Sequence, residues 1–236
     1  MFMTAGAAGL GGSLASVAIL TAAVILGVAL TLLMSRLISA TVLKGVPSSF
    51  ALELPPYRRP QIGKVIVRSV FDRTIFVLGR AVAVAAPAGL VIWLLGAVKA
   101  GDSSLLILLA DILDPFARFI GLDGVILLAF ILGFPANEIV VPIMLMAYLS
   151  TGKIVEYENL GQLKELLTAN GWTLTTAVCT VIFMLFHFPC STTCITVKKE
   201  TGSLKWTAAA FLLPTAVGII LCAATANLMR FLQYIF

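Results

Sequence analysis

One octapeptide holds most of the residues in this chain that could do chemistry: His187-Phe188-Pro189-Cys190-Ser191-Thr192-Thr193-Cys194. His187, Cys190 and Cys194 are spaced by three and four residues, which would put them on one face of a helix. Imidazole and thiolate donors suit transition-metal ions better than magnesium or calcium. Pro189 interrupts any such helix and can turn His187 away from the thiols. Ser191, Thr192 and Thr193 add hydroxyl oxygens, although hydroxyls in a helical segment ordinarily bond back to the backbone. A packing reading stands beside the ligand reading, because a membrane cysteine is also a small apolar residue. A histidine near the end of a span can equally do no more than bond a neighbouring carbonyl.

A second group precedes the first, in Gly133-Phe134-Pro135-Ala136-Asn137-Glu138. Glu138 is the only charge between Gly124 and Gly152. A carboxylate at membrane depth is costly, so it must face protein, water or a bound cation rather than lipid; a salt bridge to another helix would also satisfy it. For Asn137 the simplest role is to cap the resumed helix, with Glu138 near that N-terminus. Two long apolar segments are thus broken alike, by Phe134-Pro135 and by Phe188-Pro189. Paired interruptions of this kind point to a transporter site, where unwound backbone and half-helix ends meet a substrate.

The elements that must position these residues are set by composition. Of 236 residues, 60% are hydrophobic and 11% charged, with a mean hydropathy of +1.08. A soluble domain carries roughly 25% charged residues, so much of this surface must face lipid. The expected fold class is an all-α, polytopic membrane protein with Pro-broken helices at the two Phe-Pro sites. At roughly 20 apolar residues per crossing, the length accommodates five or six transmembrane helices. Leu14 to Met34 forms the first, within a segment 1–35. Residues 36–80 make a basic cytoplasmic loop whose centre, Leu54-Pro55-Pro56-Tyr57-Arg58-Arg59-Pro60, cannot be helix interior. An amphipathic interfacial helix follows from Ile62 to Val77.

The remainder, 81–236, is the main membrane domain, with breaks near 133–138 and 187–194. Its spans are Ala81 to Val98, the two broken segments 124–152 and 166–197, and Trp206 to Met229. Leu105 to Ile120, interrupted by Asp111, Asp114, Pro115 and Arg118, is either a short crossing or a re-entrant or interfacial helix. Counting it gives six spans, with both ends outside and every loop obeying the positive-inside rule. Asp111 and Asp114 read most simply as a solvated loop, as does the polar stretch up to Asn170, and Lys198 and Lys199 as a topology signal.

Half of the sixteen basic residues lie between Arg36 and Arg80, so the net charge of +5 marks topology and not nucleic acid. The four cysteines make no disulfide scaffold, and Cys179 and Cys222 read as packing. There is no phosphate-cradling loop, serine elbow or zinc-hydrolase helix, so no enzyme activity is expected. The first cation is Arg36, after an apolar run, which does not fit a cleaved signal peptide. The glycine-rich opening from Ala5 to Gly12 reads like the middle of something longer.

Several motifs occur together and in order: Leu52-Glu53-Leu54-Pro55-Pro56-Tyr57-Arg58-Arg59-Pro60, Gly133 to Glu138, Ala169-Asn170-Gly171-Trp172, His187 to Cys194, and Lys198-Lys199-Glu200-Thr201-Gly202-Ser203-Leu204-Lys205-Trp206. Over nearly the whole chain they closely resemble the membrane region of the FeoB-type ferrous iron transporters. The resemblance implies iron(II) as transported substrate, with no permanently bound cofactor, in the cytoplasmic membrane of a bacterium or archaeon. It also implies a domain built from two Gate segments of the nucleoside-recognition type, with Pro189-Cys190 in the second. Carried over residue by residue, Cys190 and then Cys194 are the metal-contacting candidates. Glu138 is a second iron-facing group and His187 a further one, with Asn137, Ser191, Thr192 and Thr193 as other pathway candidates. Full-length members begin with a GTPase domain and a first Gate, neither of which is in this sequence. The expected partners are therefore a chain supplying the GTPase and first Gate, the lipid bilayer, and further copies of this chain in a homo-oligomer. The alternatives are a non-transporting or degenerate membrane scaffold, or a Gate-type transporter of another solute.

Overall fold

The computed structural model describes residues 10–41, 61–101, 103–149 and 160–235. The chain divides into two compact units after Arg73. In the first, α1 (Leu10–Thr41) is an apolar helix of 32 residues, about 48 Å long at 1.5 Å per residue. Leu20, Ile25, Leu32 and Leu33 stand exposed along it, as expected of a helix that meets lipid. The hydroxyl of Thr31 donates to the Gly27 carbonyl at 2.8 Å, so the apolar surface carries no unpaired donor there. The Pro-rich motif from Leu52 to Pro60 lies outside the described residues. Helix α2 (Ile62–Arg68) then passes into a π-helical turn, Ser69–Ile75.

The second unit holds both breaks. Helix α3 (Phe76–Ala97), with Pro87 inside it, leads to a two-residue ladder that pairs Lys99–Ala100 with Ser103–Ser104. Two repeats of one design follow. In the first, α4 (Leu105–Phe119) ends as Ile120, Gly121 and Leu122 donate their N–H groups back to Phe116, Arg118 and Ala117. In the second, α7 (Leu160–Ala169) ends as Asn170, Gly171 and Trp172 donate to Leu166, Thr168 and Leu167. Each turn is a left-handed helix stop built on glycine, with φ of 81° at Gly121 and 80° at Gly171.

Each turn is followed by a capped helix. The Asp123 carboxylate accepts from the Ile126 N–H at 2.7 Å to start α5 (Gly124–Leu132). The Thr173 hydroxyl accepts from the Thr176 N–H at 3.2 Å to start α8 (Leu174–Phe186). The second helix has 13 residues against 9, about one extra turn. Both then stop at Phe-Pro and resume: the first through a 3-10 turn, Asn137–Ile139, into α6 (Val140–Leu149), the second as α9 (Ser191–Thr201). Helix α10 (Leu204–Ile235) closes the unit.

The repeats share one core, with Leu106, Ile126, Phe130, Ile143, Phe183 and Cys222 among its members. A Cβ on Gly124 would fall 2.0 Å from the Ala110 carbonyl oxygen, so this glycine is what lets α4 and α5 touch. Gly218 does the same for α10, where a Cβ would sit 3.1 Å from the Phe186 carbonyl oxygen. Cys179 and Cys222 face one another between α8 and α10, each thiol donating to the other residue's carbonyl at 3.6 and 3.2 Å. They pack as expected, but with hydrogen bonds the sequence did not disclose.

The helical membrane architecture agrees with composition, and two segments, Leu174–Thr201 and Leu204–Tyr234, are long and apolar enough to cross a bilayer. Helices α4 and α5 meet at 108°, the geometry of a broken span or a re-entrant pair, which is among the alternatives open for Leu105 to Ile120. Other expectations need correction. Asp111 and Asp114 lie within α4 and not in a loop. One Asp114 oxygen accepts from the Gly124 N–H at 3.1 Å and the other pairs with Arg118. With Asp123, this puts two carboxylates at the positive end of α5. The polar stretch before Asn170 is likewise not all loop, because α7 occupies 160–169.

Candidate functional site where the two breaks cross

Proline has no N–H to give to a helix ladder, and where the helix also stops, as at the two Phe-Pro sites, backbone groups are left free. One backbone bond joins the two stops: the Ser191 N–H, first in α9, donates to the Phe134 carbonyl at 2.9 Å. Aromatic rings fix the crossing. Phe134 meets Phe188 edge to face at 5.8 Å, Phe188 stacks on Phe211 of α10 at 4.9 Å, and Phe134 meets Phe211 at 5.8 Å. Such pairs add about 0.5–1.5 kcal/mol each beyond burial, enough to make this junction a fixed point.

The thiols lie just past it. Cys190 is the residue from which α9 starts, and its Sγ is 3.1 Å from the Thr192 hydroxyl and 3.2 Å from that of Thr193. Cys194 follows one turn on; its N–H donates to the Cys190 carbonyl at 3.1 Å, and its Sγ lies 3.8 Å from the Pro189 carbonyl. Two sulfurs and two hydroxyls therefore share one end of α9. The expectation that Thr192 and Thr193 only bond back to the helix is corrected, since both hydroxyls turn to Cys190.

His187 is not among them. It ends α8 in extended conformation, its N–H donating to the Phe183 carbonyl at 2.7 Å and its Nδ1 to the Met184 carbonyl at 3.0 Å. Its ring packs at 5.1 Å from Phe130 and 5.4 Å from Phe188. The one-face arrangement with Cys190 and Cys194 fails because the backbone is extended from His187 to Cys190. Glu138 is exposed within the 3-10 turn. Among the described residues no three His, Cys, Asp or Glu side chains gather into a metal cluster, so His187, Cys190, Cys194 and Glu138 do not form one ligand set in this chain.

Asn137 does not cap the resumed helix: Ala136 occupies that position, without a side-chain bond. The Oδ1 of Asn137, the Oγ of Ser191 and the Nε2 of His187 are buried without a hydrogen-bond partner among the described residues. Asn137 and Ser191 are the first residues of their resumed helices, equivalent in the two repeats.

Sequence reasoning missed a polar link between the repeats. Tyr148 of α6 donates its hydroxyl to Asp123, and Trp172 donates its indole N–H to the Tyr148 oxygen at 2.8 Å. The available signal was the repeated helix-end pattern, Gly121-Leu122-Asp123 against Gly171-Trp172-Thr173. A cavity of about 270 Å³ opens beside this link, lined also by Asp111, Asp114 and Asn170. An apolar cavity of about 430 Å³ lies between α3 and the first break, lined by Ala85, Ala88, Gly89, Pro135 and Ala136.

Two families match this chain. Residues 78–204 match the Gate family, described as nucleoside recognition, and residues 20–73 match the ferrous iron transport protein B C terminus. The Fe(2+) transporter FeoB of Staphylococcus aureus (strain MSSA476) is 29% identical over 207 residues, covering 84% of this chain and 29% of the relative. The Fe(2+) transporter FeoB of Leptospira biflexa is 25% identical over 228 residues, covering 89% of this chain and 32% of the relative. That of Leptospira interrogans serovar Lai is 28% identical over 207 residues, covering 77% and 29%. The chain thus spans about a third of the length of these relatives. No solved structure matches it. With both breaks and both repeats inside the matched region, the chain belongs to the Gate, or nucleoside-recognition, family, as a C-terminal membrane segment of the FeoB type.

Proposed function

We propose that this chain forms part of a path for iron(II) across the cytoplasmic membrane, with Cys190 as its principal contact. The observation that carries the reading is the junction of the two broken helices, which holds the Phe134 carbonyl against the start of α9 beside Cys190. Interrupted helices that meet in this way offer half-helix ends to a substrate. Sulfur at Cys190 and Cys194 favours transition-metal ions over magnesium and calcium. The flanking Thr192 and Thr193 hydroxyls replace part of a hydration shell. Few ligands, none of them a buried carboxylate, bind weakly enough to release an ion in transit. Glu138, exposed on this chain, is a contact for the rest of the assembly or for the arriving cation.

The relatives are named as Fe(2+) transporters, and the present chain matches about a third of each. We assign the GTPase and the first Gate to a partner chain, and take iron(II) to be cargo and not a resident cofactor. The test is anaerobic uptake of radiolabelled iron(II) in cells without their own ferrous transporter, expressing this chain with and without that partner. Uptake should need both chains and fall at least tenfold in Cys190→Ser. No uptake with any partner bearing a GTPase and first Gate would leave a scaffold as the better account. Uptake indifferent to Cys190→Ser would move the path elsewhere.

A further inference from the structure

We infer that the crossing holds a second cation station, made of neutral nitrogen and oxygen donors, from Asn137 Oδ1, Ser191 Oγ and His187 Nε2. The argument begins with what these atoms lack. All three are buried without a partner among the described residues, and Ser191 is only 7% exposed. Leaving such a group unpaired costs about 1–3 kcal/mol, so each of the three calls for something that satisfies it.

Their chemistry restricts what that can be. The Met184 carbonyl can only accept, so the Nδ1 it meets at 3.0 Å carries the proton, and Nε2 of the neutral ring presents a lone pair. An amide Oδ1 is likewise an acceptor only. Two obligate acceptors cannot satisfy each other, and the third member, a hydroxyl, has one proton to give. A shared occupant must bring positive charge or several donors. The histidine is already held as metal-binding histidines usually are, with its other ring nitrogen bonded to a backbone carbonyl.

The fold supplies the placement. Ser191 and Asn137 open the two resumed helices at equivalent positions of the two repeats. The Ser191 N–H to Phe134 bond pins Ser191 three residues from Asn137 in the other break. The His187 ring packs on Phe130, one turn before that same carbonyl. The thiols, by contrast, already have hydroxyl and carbonyl company on α9. Imidazole with amide and hydroxyl oxygens suits a borderline divalent ion of the first transition row. The inference rests on the iron reading for the identity of the natural ion, and on the orphaned atoms for the site itself.

The test uses cobalt(II) as an optical probe on the purified full chain in detergent, without oxygen, alongside iron uptake by the same variants. Cobalt should bind with ligand-field bands that persist in Cys190→Ser. Its affinity should fall about tenfold or more in His187→Gln and in Ser191→Ala. Asn137→Asp, which adds charge without changing shape, should tighten binding, a gain that misfolding cannot imitate. Binding unchanged in all three variants, binding that vanishes with Cys190 alone, or no cobalt bound by the folded chain would overturn the station. If His187-dependent binding stands while no variant or wild type supports uptake, the station holds and the transport reading fails.

Discussion

The first repeat, α4 to α6, and the second, α7 to α9, use the same stop, the same kind of cap and the same Phe-Pro break, yet they are packed to different depths. Gly121 lies against the core, where a Cβ would fall 2.7 Å from the Cys179 sulfur and 2.8 Å from the Ala226 Cβ; at Gly171 nothing lies within 4 Å. Helix α5 buries most of its residues, whereas α8 buries chiefly Cys179, Thr180, Phe183 and Phe186. The breaks differ in chemistry too, with Ala136, Asn137 and Glu138 in one and Cys190, Ser191 and Thr192 in the other. One scaffold thus serves as anchor in its first copy and presents thiols in its second. Hydrogen bonding of the turn is common to both, so the difference comes from side-chain volume and donor type.

The widest separation between the copies is expected at the two glycines. Both adopt positive φ, which costs a side chain about 1 kcal/mol or more, but only Gly121→Ala also overpacks the core. Thermal unfolding in detergent should place Gly121→Ala about 3 kcal/mol below wild type, and Gly171→Ala only about 1 kcal/mol below. Equal losses would mean that the first turn is not packed as described.

A smaller separation is expected at the caps. Asp123→Ala removes the cap of α5 and leaves the Tyr148 hydroxyl without its acceptor, a loss of about 2–3 kcal/mol. Thr173→Ala removes a cap and an exposed hydroxyl contact with Thr176, and should cost about 1 kcal/mol. The smallest effect belongs to Trp172→Phe, which keeps an aromatic side chain of smaller size and deletes the indole hydrogen bond to Tyr148, for about 1 kcal/mol. A double-mutant cycle of Trp172→Phe with Asp123→Asn would show coupling if Tyr148 joins the repeats, and simple additivity if it does not.

Much of this was legible in the residues. Membrane class followed from the scarcity of charge, and both breaks from the matching Phe134-Pro135 and Phe188-Pro189 pairs; proline alone would not have marked them, since Pro87, Pro115 and Pro214 lie inside helices. Cys190 stood out by its element. The sequence did not reveal that the breaks bond to each other, since Ser191 and Phe134 are far apart in the chain and backbone groups leave no trace in residue type. It also misled at Asn137, where a residue type favoured at caps sits one place too late to cap. At His187, i to i+3 spacing lost its meaning once the helix ended. The repeat showed in the paired Phe-Pro breaks but not in the helix stops before them, whose halves share backbone bonds more than letters: Ala117 matches Leu167, and Leu122 matches Trp172.

The central claim is that an ion passes the junction of the two breaks beside Cys190. It is tested most directly by maleimide labelling of the chain in membranes with the proposed GTPase-bearing partner, without oxygen, with and without iron(II). Cys190 should be labelled in the absence of iron and protected as iron(II) is added, while Cys222, fully buried between α8 and α10, stays unlabelled throughout. Labelling of Cys190 that iron(II) does not change would contradict the claim.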